Sequence, residues 1–461
     1  MSKETNTAVE ENKMGVMPVN KLLMNISFPM MVSMLVQALY NIVDSIFVAK
    51  VSEDALTAVS LAFPIQTLMI AVGAGTGVGV NALLSKLLGE KSYERANKTA
   101  VNGVFLAFLS FLLFVVIGLV TVKPFYLSQV KDINSDIYIQ GVSYLTLVCV
   151  CSFGIYAQFI FEKLLQATGK TVYSMISQMT GALTNIILDP ILIFGMFGLP
   201  KMGVKGAAIA TIIGQCVGAV LAFYFNLKVN KEIDLMIKGF RPDKEIIGKI
   251  YKVGVPSIIM QSIGSVMTYG MNLILIQFTA TATAVFGVYF KLQSFFFMPV
   301  LGINNGMVPI LAYNYGAGKR TRMVKTIKYS MVYALVLLLL GFVAFMVIPD
   351  KLLGLFDASE QMLEIGVPAL RVIGIHFLVA WFCIIAGSVF QALGNGVYSL
   401  TVSVARQLVI LLPAAYILAK VGGLSAVWWS FPIAEIMSLI VSAYYLFKIW
   451  KNVINNVPDN V

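Results

Sequence analysis

Two aspartates stand in stretches too apolar to hold charge cheaply. Residues 184–195 read T-N-I-I-L-D-P-I-L-I-F-G, with Asp189 in the middle and Asn185 one helical turn before it. Residues 37–48 read Q-A-L-Y-N-I-V-D-S-I-F-V, with Asp44 three residues after Asn41. A third stretch, G-A-A-I-A-T-I-I-G-Q, offers Thr211 and Gln215 at helical spacing. Ionisable groups in such surroundings are costly and tend to mark ion or substrate paths. Two carboxylates with neutral oxygens at one level form a cage for a hard cation. The same pair could instead carry a proton, since two like charges kept from water are held more cheaply when one is neutralised. Hydrogen bonding to neighbouring helices is the plainer alternative, and two escorted acids make it harder to sustain than one.

The elements that must position these groups are transmembrane helices. Hydrophobic residues make up 59% of the 461, charged residues 12%, and the mean hydropathy is +0.86. Apolar runs long enough to cross about 30 Å of hydrocarbon recur along the chain. The first twenty residues are polar and read as lacking a cleavable leader. Twelve spans are expected, at 22–48, 56–87, 97–122, 137–164, 172–195, 204–227, 249–278, 284–312, 326–348, 365–391, 397–419 and 424–448. With the N-terminus placed in the cytoplasm, 23 Lys and Arg fall in inside loops and ends, against 7 outside. Both termini are therefore expected to be cytoplasmic, in a multi-pass protein of the cell membrane. The net charge of +11 reflects this topology rather than nucleic acid. Cys149, Cys151, Cys216 and Cys383 all lie in apolar segments without C-x-x-C spacing, which supports neither a disulfide framework nor a metal site.

The two halves repeat. An offset of 227 residues pairs Pro29 with Pro256, Phe63 with Phe290, Gly75 with Gly302, Gly79 with Gly306, Gly89 with Gly316 and Arg95 with Arg322. Further on, Q-A-T-G at 166–169 echoes Q-A-L-G at 391–394. Six spans per half is even, so the halves share an orientation, related by a pseudo-twofold along the membrane normal. The expected fold is all-α: a first lobe at 1–227, a cytoplasmic linker at 228–248 and a second lobe at 249–461. Under the repeat, Asp44 corresponds to Met271 and Asp189 to Ala414. The acidic site thus belongs to the first lobe alone.

Other polar residues divide by depth. Glu162 lies about 10 Å from the cytoplasmic end of span four; it either faces a cavity or pairs with Lys163 or another base. Arg406 and Glu435 match in depth on consecutive spans and read as a structural ion pair. Lys291 stays open, with snorkelling one alternative, and His376 reads as a packed, hydrogen-bonded residue. T-G-K-T at 168–171 lacks the upstream glycine of a phosphate loop, and G-A-G-T-G-V-G at 73–79 lies in a span where small residues let helices approach. No catalytic constellation or ATP site is found, so an enzyme is not expected and uphill work would draw on an ion gradient.

Several of these stretches, with L-L-Q-A-T-G-K at 164–170 and V-P-I-L-A-Y-N-Y-G-A at 308–317, resemble the multidrug and toxic compound extrusion (MATE) family, in its MepA-like branch. The resemblance covers nearly the whole chain. It implies two six-helix lobes around a cleft, exporting small organic cations by antiport with sodium or protons, with no cofactor besides the coupling ion. A lipid-linked saccharide flippase of the same superfamily is the alternative. Carried over by position, the coupling site comprises Asp44, Asn185, Asp189 and Thr211, with Asn41 as escort; Asp44, Asn185 and Asp189 would be the metal ligands if the ion is sodium. Glu162 and Asp189 fall to substrate binding, beside Gln37 and Tyr40. Span seven has no acid, so a coupling site in the second lobe is not expected. A monomer is expected in the bilayer. The mechanism implied is competition, with ion binding at Asp44 and Asp189 bending spans one and five and favouring drug release.

Overall fold

The computed structural model describes residues 12–130, 132–235, 240–356 and 358–459. Lys131, four linker residues at 236–239 and both chain ends, which entered the topology and linker expectations, lie outside the described residues. Among those described, ten helices are long and apolar enough to span a membrane, and two bent pairs bring the number to twelve. Spans one to three are Val19–Ala49, Glu53–Gly89 and Tyr93–Val120. Span four is broken into Asp136–Val150 and Phe153–Ala167, bent by 44°. Spans five and six are Thr171–Phe194 and Val204–Lys228.

The second lobe repeats this plan as Lys244–Leu275, Ala280–Gly316, Arg320–Val347 and a span ten broken at the same place, Glu360–Gly374 with Phe377–Ala392, bent by 51°. Spans eleven and twelve are Gly396–Val427 and Ser430–Asn452. Span eleven contains a π-helical turn at Ala405–Leu411. The interlobe connection is shorter than expected, because span seven begins at Lys244, capped by Asp243. Two short helices, Val122–Val130 and Pro349–Gly354, stand in repeat-related positions after spans three and nine. They are too brief and weakly patterned to be read from periodicity.

The lobes meet along a seam built from the repeated glycines. A Cβ at Gly75 would strike Ile258, and one at Gly302 would strike Met31, the residue 227 positions before Ile258. Gly79 lies against Ile250 and Gly254, while Gly306 lies against Ser27. Gly89 lies on the Tyr313 carbonyl, and Gly316 on that of Lys86. Each contact is the image of another under the repeat. Only residues without a side chain allow backbones this close.

All these contacts lie toward the end of the bundle where span one starts and span twelve finishes, which is therefore shut. The residues before span one reinforce it. Asn12 Nδ2 donates to Thr168 O of the first lobe at 3.2 Å and to Glu232 Oε1 of the interlobe linker at 2.9 Å. The carbonyls of Met14 and Met17 accept from Arg322 of the second lobe at 3.0 and 2.7 Å. Asn314 Nδ2 also donates to Met14 O, at 3.0 Å.

Candidate functional site

Away from the seam the lobes part around a cavity of about 1070 Å³. The first lobe supplies most of its wall, including Gln37, Tyr40, Asn41, Asp44, Glu162, Asn185 and Thr211. The second contributes Gln261, Lys291, Ser294, Phe295 and Met298. The cavity runs from the ends of spans one and two, at Ala49 and Leu56, down to Gln158 and Glu162 of span four.

Asp44 and Asp189 come together at its edge. Their carboxyl groups lie within direct interaction reach of each other. Asp189 is fully buried and Asn185 nearly so. Asn185 Nδ2 donates to Thr211 Oγ1 at 3.1 Å and approaches Asp189 Oδ1 at 3.5 Å. Tyr40 reaches Thr211 with its hydroxyl and lies close to both aspartates. Three buried oxygens, Asp44 Oδ1, Asn185 Oδ1 and Asp189 Oδ2, have no hydrogen-bond partner among the described residues. Buried acceptors are nearly always satisfied, so this arrangement has room for a guest that presents positive charge or donors. Pro190 follows Asp189 inside its helix and cannot donate a backbone bond there.

The other site residues separate from this cluster. Asn41 is exposed on the cavity wall, one turn before Asp44. Gln37 Oε1 accepts from Gln178 Nε2 at 2.6 Å, and both line the cavity. Tyr40 lines the cavity and also adjoins the aspartates; the spacing Tyr40–Asp44, one turn on one helix face, carried that signal.

Glu162 is buried and accepts from Gln158 Nε2 at 2.8 Å, one turn earlier. It faces the cavity and forms no ion pair with Lys163 among the described residues. Lys163, counted with the inside charges in the topology reading, is buried within span four. It is only 8% exposed, with its stem on Gly77 and its Nζ bonded to Gln166 Oε1 at 2.8 Å and Asn305 Oδ1 at 3.2 Å. A lysine near a span end looks like a topological charge until the opposite lobe is known.

In the second lobe, Arg406 Nη1 meets Glu435 Oε2 at 3.2 Å, with Arg406 on the π-helical turn. His376 sits at the break in span ten, its Nδ1 2.6 Å from Ile373 O and its ring among Phe297, Phe377 and Tyr289. Among the described residues no three or more His, Cys, Asp or Glu gather as a metal centre.

Two repeated lobes around a cavity, closed at one end and lined by intramembrane acids, define a secondary-transporter architecture. Comparison with known proteins gives the family. The MatE family model matches residues 29–191 and 256–417, twice over and at the spacing of the internal repeat. The chain belongs to this family and is a multi-pass membrane transporter, not an enzyme. It is 27% identical over 433 residues to the multidrug export protein MepA of Staphylococcus aureus, covering 93% of this chain and 94% of that one. To MepA of Staphylococcus haemolyticus it is 28% identical, covering 93% of each.

Among solved structures it superposes on an outward-facing multidrug resistance MATE transporter of the MOP superfamily. The TM-score is 0.89 at 25% identity, over 96% of this chain and 99% of that one. A MOP superfamily transporter from Pyrococcus furiosus, whose binding pocket is described as reversed in polarity, matches with a TM-score of 0.87 at 25% identity, over 96% and 98%.

Proposed function

We propose that the chain exports organic cations across the cell membrane by antiport with sodium or protons, with both chain ends cytoplasmic and the cavity open outward. One observation carries the reading. Two carboxyls adjoin on separate spans, one fully buried and one on the cavity wall, with three buried oxygens left without hydrogen-bond partners among the described residues. Two bare charges in contact away from water repel strongly. A proton shared between them, or a sodium ion held by Asp44, Asp189, Asn185 and Thr211, relieves the repulsion and supplies what the orphaned oxygens lack.

Spans one and five hold one carboxylate each, and each helix contains a proline, Pro29 and Pro190. Occupancy of the site therefore acts on two helices that can bend. The same helices line the cavity through Gln37, Tyr40 and Gln178, so bending alters the surface on which a cationic cargo rests. Cargo and coupling ion shift the equilibrium between open states only by their differential affinity for each. Glu162, at the cavity floor, gives the cargo's cationic centre a carboxylate separate from the coupling pair. The MepA relatives are named as multidrug export proteins, which supports export as the direction of transport.

The test is ethidium efflux from proteoliposomes under an imposed sodium or pH gradient, for wild type and Asp189→Asn. One gradient drives wild-type efflux and the variant loses that dependence. A variant that pumps under the same gradient as wild type reduces Asp189 to a buried hydrogen-bonding residue and overturns the coupling site.

A further inference from the structure

A second cavity, of about 270 Å³, lies on the outer side of the first lobe, between span three and the second segment of span four. Phe105 and Phe108 of span three, Phe153, Ala157 and Phe161 of span four and Phe240 of the linker line it. Phe108 and Phe153 are 47% and 55% exposed, so the cavity opens toward the bilayer. Its lining offers no free polar side-chain atom. The one hydroxyl there, on Tyr156, donates to Met69 O at 3.2 Å. Ring contacts fix the walls: Phe153 on Phe111 at 5.8 Å between centres, Phe161 on Phe223 at 5.0 Å, and Phe240 on Phe105 at 5.5 Å.

The repeat does not require this space. In the register that sets Q-A-T-G on Q-A-L-G, Ala157 corresponds to Phe382, and the 227-residue offset sets Val101, also in the lining, on Lys328. The size selects the occupant. A helix about 10 Å across would fill the volume in less than one turn, so a partner's helix does not fit. From Phe161 to Phe153 the cavity follows span four for about 12 Å. One leaflet contributes about 15 Å of the hydrocarbon. A single acyl chain matches both the length and the lack of polar groups.

The end near Phe240 is basic. Asp243 N donates to Asn102 Oδ1 at 3.1 Å, which ties the start of span seven to span three beside the cavity. The acids nearby are already engaged: Glu94 with Lys98, Glu245 with Arg95 and Lys249, and Asp243 as the cap of span seven. Arg241 and Lys244 are exposed and paired with no acid among the described residues. We infer that the cavity binds an anionic phospholipid, with one acyl chain between spans three and four and the phosphate on Arg241 and Lys244. Packing alone gives little preference among lipids, since the surrounding chains are as apolar as the cavity. The headgroup supplies it, at about fivefold for each basic residue near the surface. The second segment of span four then carries lipid on one face and, through Gln158 and Glu162, the transport cavity on the other.

The test needs no transport and so stands apart from the export reading. The full chain is photo-crosslinked in phosphatidylcholine vesicles containing a small fraction of one probe. The probe is phosphatidylglycerol or phosphatidylcholine with a diazirine on one acyl chain, and labelled peptides are mapped by mass spectrometry. The phosphatidylglycerol probe labels 101–108 and 153–161 about tenfold more than the phosphatidylcholine probe does. Both label the exposed face of span nine, at Val332 and Val336, alike. Ala157→Phe, which fills the cavity with the second lobe's residue, removes most of the labelling at 153–161. Arg241→Gln with Lys244→Gln, at exposed positions, brings the two probes level and decides the matter even if Ala157→Phe does not fold. Equal labelling of the cavity and span nine by both probes in wild type means boundary lipid only and overturns the inference. A headgroup preference that survives the double replacement overturns it too. Displacement of the probe from the cavity by ethidium makes this a cargo site and overturns the lipid assignment.

Discussion

The two lobes share a fold and a seam yet treat buried acids in opposite ways. In the first, Asp44 and Asp189 face each other, and each keeps an oxygen without a hydrogen-bond partner among the described residues. In the second, the repeat-related positions are Met271 and Ala414. There the buried acid Glu435 has Oε2 tied to Arg406 at 3.2 Å and Oε1 without a hydrogen-bond partner among the described residues, so the difference lies in the charge each acid faces. Glycines and prolines repeat because backbone approach and helix bending are demands of the architecture, which both halves share. Ionisable groups do not repeat, because chemistry is a local demand. An acid facing a base holds helices together; an acid facing another acid leaves something to be bound.

The seam therefore predicts symmetry and the charges predict asymmetry. Gly79→Leu and Gly306→Leu each force a side chain into backbone or a packed serine of the other lobe. Both should abolish transport and hold the shut end apart to a similar extent, read as an increased spin-label distance between spans two and seven. A strong effect from one glycine alone would break the repeat as an account of the seam.

Asp189→Asn comes next, removing coupling by a factor of about 5–150, the usual span of coupling energies, while Met271→Asp creates no ion dependence. Initial rates under each gradient check both. If Met271→Asp responded to an ion, the contrast between lobes would be one of sequence alone rather than of a built site.

Smaller effects belong to the second lobe's pair. Leaving one partner of a buried pair uncompensated costs about 3–5 kcal/mol. Arg406 is 31% exposed at its side chain, which reduces this to about 2 kcal/mol after screening. Glu435→Gln should lower the melting temperature accordingly, while the double replacement by Met and Leu recovers most of it, with ion dependence unchanged throughout. A shift in ion dependence for Glu435→Gln would make the second lobe a participant in coupling.

Much of this division was legible in the sequence, because membrane helices announce themselves by length and a repeat by a constant offset. Asp44, Asn185, Asp189 and Thr211 were visible as polar residues where none is cheap, and the depth argument placed them at one level. What was hidden depends on partners far along the chain. Lys163 reads as a loop charge because nothing nearby says that Asn305, 142 positions later, receives its ammonium. Tyr40 reads as a pocket aromatic because its bond to Thr211 crosses from span one to span six. The segment before span one has no periodicity to detect, since the second lobe holds it through its carbonyls.

That segment gives the finest version of the comparison, since its two anchors differ in what pH can do to them. On the second lobe, Arg322 and Asn314 grip carbonyl oxygens, which do not titrate. On the other side, Asn12 is held by Glu232 of the interlobe linker, which also lies 3.8 Å from Lys170, and Glu232 Oε2 is buried without a hydrogen-bond partner among the described residues. Burial raises the Glu232 carboxyl above its ordinary value of 4.5, against the pull of Lys170. The docked state therefore binds this proton more tightly than the undocked state, and docking weakens as pH rises from 4.5 through the raised value.

Lys13 runs the other way. Burial and Lys170 lower it from 10.5, so docking gains as pH rises from the lowered value toward 10.5. Because Glu232 is partly exposed, the acid limb amounts to less than about 1 kcal/mol. Melting temperature followed against pH should fall slightly through the acid window in wild type and stay level there in Glu232→Gln, while Arg322→Gln lowers both curves without changing their slopes. A slope that survives in Glu232→Gln would move the titrating group elsewhere. A slope that vanishes in Arg322→Gln would show the two anchors acting as one.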